Sequence, residues 1–259
     1  MNNKIKKILK KKNKSKIICL TAYSKNIAEI VDDHADIVLV GDSLGSVLYN
    51  YDTTRKVSLN MMIEHTKSAR MGVKKSLLVI DLPYNTYRNK SEALKNSKKV
   101  IKETKCDAVK VEGGTRVKEI VKHLVKNKIP VLGHIGITPQ TTKGKFRSKG
   151  KNESEKRKLL KDAQDLEQSG AFGIVLECIY SDISKTITNL INIPTIGIGA
   201  SVNCDGQVLV TDDLIGLNET KFRFVKKFGN IKKYIKSAVI KYKNSVKQKK
   251  FPSKKNSYN

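Results

Sequence analysis

The sequence predicts an α/β fold, a single (β/α)8 TIM barrel with basic N- and C-terminal extensions, on three observations. Short apolar runs recur along the chain, segments with helical patterning separate them, and 259 residues is the usual length of one such barrel. The runs cover residues 17–20, 37–40, 77–80, 108–111, 130–132, 173–176 and 194–198, with an eighth at 208–210. Their hydrophobicity is continuous rather than alternating, which marks strands covered on both faces, as in a parallel sheet. Residues 91–104 and 153–168 carry helix patterns between the runs. Residues 212–217 suit a short turn or helix, and 231–246 a terminal helix. An open doubly wound sheet is the structural alternative, because apolar runs alone do not demonstrate closure.

The formal net charge of +28 is concentrated at the two ends. Residues 1–16 carry eight lysines and no acid, and residues 220–259 carry fourteen Lys or Arg and no acid, so the ends hold 22 of the 28 charges. The expected organisation is a basic segment over 1–16, a barrel over 17–219, and a basic helix and tail over 220–259. Solvated extensions are the primary reading of this pattern, and a polyanion-binding protein is the alternative; no nucleic-acid partner is expected. The four cysteines, Cys19, Cys106, Cys178 and Cys204, form no CxxC pair, which fits a reducing cytoplasm. No run approaches the ~18 apolar residues of a membrane span, so a soluble, cytoplasmic protein without a membrane partner is expected.

Acids recur where each strand ends. Asp42 follows the second run in Val40-Gly41-Asp42-Ser43, and Asp81 closes the third in Val79-Ile80-Asp81. Glu112 closes the fourth in Val109-Lys110-Val111-Glu112, and Glu177 the sixth in Val175-Leu176-Glu177. A single acid in such a place is ordinarily a helix N-cap or a solvated loop residue. Four at equivalent positions carry more weight, because barrel active sites are built at the C-terminal strand ends. There the carboxylates converge and repel one another unless protons or a cation neutralise them. Mg²⁺ suits such a set, since it takes oxygen ligands and keeps positions for water and substrate. Period-two alternation puts Lys110 and Glu112 on one face of their strand, an ammonium beside the acids. It suits a substrate carboxylate, or simply balances Glu112.

Glycines at strand ends, in Gly113-Gly114, Gly133-His134-Ile135-Gly136 and Gly197-Ile198-Gly199, permit close approach of backbone or ligand. His134 is either a ligand-binding group or a histidine satisfied locally. No GxGxxG opens a helix after the first strand and no GxxxxGK[ST] occurs, so no nucleotide-binding fingerprint is present.

Together these motifs resemble the ketopantoate hydroxymethyltransferase family over most of the body, from about residue 18 to 217. The resemblance rests on Leu20-Thr21-Ala22-Tyr23, Val40-Gly41-Asp42-Ser43-Leu44-Gly45, Tyr51-Asp52-Thr53-Thr54, His65-Thr66-Lys67 and Val109-Lys110-Val111-Glu112-Gly113-Gly114. It continues through Gly133-His134-Ile135-Gly136-Ile137-Thr138-Pro139-Gln140, Leu176-Glu177-Cys178, Ile193-Pro194-Thr195-Ile196-Gly197-Ile198-Gly199-Ala200 and Cys204-Asp205-Gly206-Gln207-Val208. Each stretch is short, but their order is specific.

The resemblance implies an enzyme converting 5,10-methylenetetrahydrofolate, 3-methyl-2-oxobutanoate and water into tetrahydrofolate and 2-dehydropantoate, on the way to pantothenate. It implies Mg²⁺ held by Asp42, Asp81 and Glu112, directly or through water, and an oxo acid contacted by Asp42, Ser43, Asp81 and Lys110. It implies Glu177 as the catalytic base, and a homo-oligomer such as a decamer. Another Mg²⁺-dependent barrel enzyme, a carbon–carbon lyase acting on 2-oxo acids, is the alternative reading. Residues 141–151 are lysine-rich and shorter than the lid loop of similar proteins, which bears on folate contacts. The basic ends match nothing in the family pattern.

Overall fold

The computed structural model describes residues 2–142, 147–219 and 222–258. Backbone packing divides the chain into two compact units, Met1–Val210 and Thr211–Asn259.

The first unit is a barrel. Its strands are β1 (Ile17–Thr21), β2 (Ile37–Val40), β3 (Leu77–Asp81), β4 (Ala108–Glu112), β5 (Val131–Gly136), β6 (Gly173–Glu177), β7 (Thr195–Ile198) and β8 (Gly206–Leu209). All pair in parallel, in sequence order, and β8 pairs back onto β1, closing the sheet. Closure excludes the open doubly wound alternative. The helices of this unit are α1 (Asn3–Lys10), α2 (Lys25–Asp32), α3 (Leu44–Tyr49), α4 (Leu59–Gly72), α5 (Lys90–Thr104), α6 (Lys118–Lys126), α7 (Glu153–Gln168) and α8 (Ser181–Leu190). Several start where the sequence supplies a cap: Ser58, Asn89 and Asn152 accept the backbone N–H of Met61, Glu92 and Glu155.

Strand alternation sorts the side chains into two apolar layers. Val38, Val40, Leu78, Ile80, Val109, Val111, Ile174 and Leu176 point outward and pack beneath the helices. Ile37, Leu39, Leu77, Val79, Ala108, Leu132, Val175 and Ile196 fill the barrel interior. Every buried face therefore carries a β-branched or aliphatic residue, which is why the runs read as continuous.

Most strands match their expected extent to within one residue, and two differ by more. β5 continues past residue 132 to Gly136, because Gly133, His134 and Gly136 interrupt the apolar run while the backbone pairing persists. β8 begins at Gly206, and exposed Gln207 breaks its apolar pattern.

The basic N-terminal segment also differs from the solvated extension its lysines suggest. Helix α1 buries Ile5 and Ile8 to 1% and 3% exposure against the interior residues of β1, β2 and β3. Lysines tether the segment. Lys4 donates to the Ser76 carbonyl, Lys12 to the Thr188 carbonyl and to Asp205, and Lys16 to the carbonyls of Val202 and Cys204. Asp205 also accepts from the backbone N–H of Asn13 and Thr195. The apolar ends of the strands are thereby covered on the side away from the strand-end acids.

The second unit contains α9 (Thr211–Leu214) and α10 (Ile231–Lys247). No residue of α10 is buried; Tyr234, Ile235, Val239 and Tyr242 are all exposed. Among the described residues, no helix is long and apolar enough to cross a membrane.

Candidate active site

The inward rows of the strands change character toward their C-terminal ends. On β3 the row runs Leu77, Val79, Asp81; on β4, Ala108, Lys110, Glu112; on β5, Leu132, His134; on β6, Val175, Glu177. The same alternation that fills the barrel with aliphatic side chains thus lifts four charged groups and an imidazole into one layer at its mouth. Asp42 joins them from the turn after β2. Gly41 leaves room in that turn: a Cβ there would sit 2.9 Å from Ser43 Oγ and 3.5 Å from Asp81 Oδ2.

The centre of the layer is Asp81, only 2% exposed. Its Oδ2 lies 3.0 Å from Lys110 Nζ and accepts the backbone N–H of Asp42 at 3.0 Å. Its Oδ1 is buried and has no hydrogen-bond partner among the described residues. Burial and the nearby Asp81 carboxylate push the Asp42 pKa up to about 7, against the opposing pull of Lys110. Lys110 is itself held charged: burial disfavours the ammonium, but the carboxylates of Asp81, Asp42 and Glu112 outweigh that and raise its pKa.

Gln140 organises the acids from the loop after β5. Its Nε2 donates to Asp42 Oδ2 at 2.8 Å and to the Leu82 carbonyl, its backbone N–H donates to Glu112 Oε1 at 2.9 Å, and Tyr87 donates its hydroxyl to Gln140 Oε1. Arg55 Nε in turn donates to the Gln140 carbonyl at 2.8 Å. On the other side, Tyr23 and Ser43 share a hydroxyl hydrogen bond of 2.9 Å.

His134 stands between the acids of its neighbouring strands. Nδ1 is 3.4 Å from Glu112 Oε2, and Nε2 is 3.2 Å from Glu177 Oε2. Neither ring nitrogen is aligned for a hydrogen bond, so in this state the contact is an electrostatic one. Burial and the Lys110 ammonium press the imidazole pKa down, but the Glu112 and Glu177 carboxylates prevail and carry it to about 9. Glu177 has the most accessible side chain of this group, 22% exposed. Gly136, at φ +104°, lets β5 end beside it, since a Cβ there would meet the Glu177 carbonyl.

The structure thus brings together the sequence-derived residues Asp42, Ser43, Asp81, Lys110, Glu112 and Glu177. It adds Gln140, Tyr23 and Tyr87, to which the sequence assigned no role, and puts His134 inside the cluster. Within the lid segment 141–151, residues 143–146 lie outside the described residues. Among the described residues, no group of three or more His, Cys, Asp or Glu side chains is placed to hold a metal ion, so Asp42, Asp81 and Glu112 do not form a ready-made triad. Two acids are nonetheless oxygen donors of the kind a hydrated cation takes: Asp81, whose Oδ1 has no hydrogen-bond partner among the described residues, and Asp42, which the Asp81 carboxylate repels.

Comparison with known proteins bears on this site. The family model for ketopantoate hydroxymethyltransferase matches residues 2–254. The chain is 62% identical over 258 residues to a 3-methyl-2-oxobutanoate hydroxymethyltransferase of Pelagibacter ubique (strain HTCC1062), with 100% of both chains covered. It is 47% identical over 241 residues to that of Rhizobium etli (strain ATCC 51251 / DSM 11541 / JCM 21823 / NBRC 15573 / CFN 42), covering 92% of this chain and 88% of the relative. Both basic ends fall within the first of these alignments, which corrects the expectation that they match nothing in the family. Among solved structures, phosphonopyruvate hydrolase aligns with a TM-score of 0.62 at 10% identity, covering 98% of this chain and 93% of that one. A 2,3-dimethylmalate lyase aligns with a TM-score of 0.52 at 13% identity, covering 76% and 72%. At such identities the likeness is one of fold alone, so it gives the lyase alternative no chemical support.

Proposed function

The chain belongs to the ketopantoate hydroxymethyltransferase family, and on that premise we propose that it transfers a one-carbon unit from 5,10-methylenetetrahydrofolate to 3-methyl-2-oxobutanoate. Water supplies the new hydroxyl, and the products are tetrahydrofolate and 2-dehydropantoate. The observation that carries this reading is the buried Asp42–Asp81–Lys110 cluster facing the more accessible Glu177 across His134.

In this reading Asp42 and Asp81 are the groups that would hold Mg²⁺. Glu112, whose oxygens face the Gln140 backbone N–H and His134, would add its negative charge to the same metal site. When bound, such an ion would supply a Lewis acid suited to negative charge on a ketone oxygen. Lys110, charged and fixed by Asp81, binds the substrate carboxylate and adds electrostatic stabilisation as the C3 proton leaves. The Ser43 hydroxyl, oriented by Tyr23, is a further polar contact for the oxo acid. Glu177 accepts the C3 proton, and the resulting carbon nucleophile attacks the one-carbon unit. The apolar interior beneath the charged layer excludes water from below.

A cytoplasmic homo-oligomer is part of the proposal, and exposed Tyr234, Ile235, Val239 and Tyr242 of α10 offer apolar surface for assembly. The test is an assay of purified protein with the oxo acid and Mg²⁺, with and without the folate donor. Exchange of the C3 hydrogen with solvent in both cases, and 2-dehydropantoate only with donor, supports the transferase. Carbon–carbon cleavage of the oxo acid without donor would select a lyase.

A further inference from the structure

We infer that His134 is a positioning residue that holds the Glu177 carboxylate in its proton-accepting orientation and ties it to the metal-side acid Glu112. This rests on the reading of Glu177 as the base.

The strand order carries the inference. β5 lies between β4 and β6, and its register pairs His134 with Glu112 on one side, while Gly136 pairs with Glu177 on the other. The imidazole is 2% exposed, yet its two nitrogens face two carboxylates on different strands at 3.4 and 3.2 Å. Among the described residues, no hydrogen bond satisfies either nitrogen otherwise. Burying an imidazole costs free energy unless polar groups compensate it, and here the compensation comes from the two flanking carboxylates. Among the described residues, His134 is the side chain at ion-pair distance from Glu177. Glu177 is otherwise the least enclosed acid of the cluster, with three side-chain torsions to fix. Catalytic contacts of this kind are often long and poorly aligned without substrate and tighten when it binds. A rigid ring on a central strand suits that task, because the strand is paired on both sides and the ring has two torsions only.

Two conservative variants separate the two contacts. The amide of His134→Gln reaches the place of Nε2 and keeps a donor toward Glu177, whereas that of His134→Asn reaches the place of Nδ1 and keeps one toward Glu112. The readouts are C3 deuterium exchange of 3-methyl-2-oxobutanoate without folate, and oxo-acid affinity in the same samples with Mg²⁺. We expect exchange in His134→Asn to fall on the order of 10²-fold, as misplacement of a reacting group does, with affinity within about threefold of the unaltered protein. His134→Gln should recover most of the loss. The reverse order, or equal loss of exchange in both, would overturn the proposal, as would loss of oxo-acid binding in both, which would assign His134 to the integrity of the site. Absence of exchange in the unaltered protein would instead overturn the reading of Glu177 and the reaction itself.

Discussion

The Lys110 ammonium lies 3.0 Å from Asp81 Oδ2, at register-paired positions of neighbouring strands. Three buried carboxylates, Asp42, Asp81 and Glu112, thus surround one lysine. The negative excess favours a divalent cation and disfavours the metal-free state.

Asp81→Asn should therefore weaken Mg²⁺ binding by about tenfold or more, since it removes a charged oxygen donor. It should leave the metal-free protein close to its original stability, because relief of repulsion on Asp42 offsets the lost ion pair. Mg²⁺ titration of oxo-acid binding, with thermal melts in chelator, checks both. Unchanged Mg²⁺ dependence would remove Asp81 from the metal site.

Gln140→Ala should cost about 1–3 kcal/mol, the penalty for leaving buried polar groups unpaired. It strips Asp42 and Tyr87 of a partner while the backbone donor to Glu112 remains. Urea unfolding reads the stability. The metal-saturated rate should fall as well, because the Asp42 carboxylate loses its fixed orientation.

Ile5→Ala combined with Ile8→Ala should destabilise the barrel by about 2–5 kcal/mol per site, as for deletion of buried aliphatic groups. These side chains lie away from the strand-end acids, so turnover of the folded fraction should be nearly unchanged. Deletion of residues 251–258, exposed throughout, should affect stability far less. Equal effects of the two changes would contradict the role of α1.

Asp205 gives the pH dependence a sign. Burial raises its pKa, but hydrogen bonds from the Asn13 and Thr195 backbone and the Lys12 ammonium outweigh burial and lower it. A depressed carboxylate contributes stability above its unfolded value of about 4, and loses it as pH falls through the folded value. Asp205→Asn should hence be less stable than the unaltered protein at neutral pH, with the gap shrinking in acid. Urea midpoints across that range check the direction.

Much of this was legible in the sequence. The strand-end acids announced themselves because barrel strands keep strict period-two alternation, which puts Asp81, Lys110, Glu112 and Glu177 on inward rows. The role of Gln140 was not legible: its partner Asp42 is 98 positions away, and only folding brings their loops together. His134 was ambiguous for the same reason, since its neighbours come from two other strands. In α1 two isoleucines among lysines gave no clear signal, and burial there depends on carbonyl acceptors such as Ser76 and Thr188 elsewhere in the barrel.

Glu177→Gln tests the central claim most directly, measured as 2-dehydropantoate formation from 3-methyl-2-oxobutanoate, methylenetetrahydrofolate and Mg²⁺. The change keeps size and a hydrogen-bonding carbonyl but removes the proton acceptor. Turnover should fall on the order of 10²–10⁴-fold, while oxo acid and Mg²⁺ still bind. Turnover at the unaltered rate would place the base elsewhere, and loss of Mg²⁺ binding would move Glu177 into the metal site.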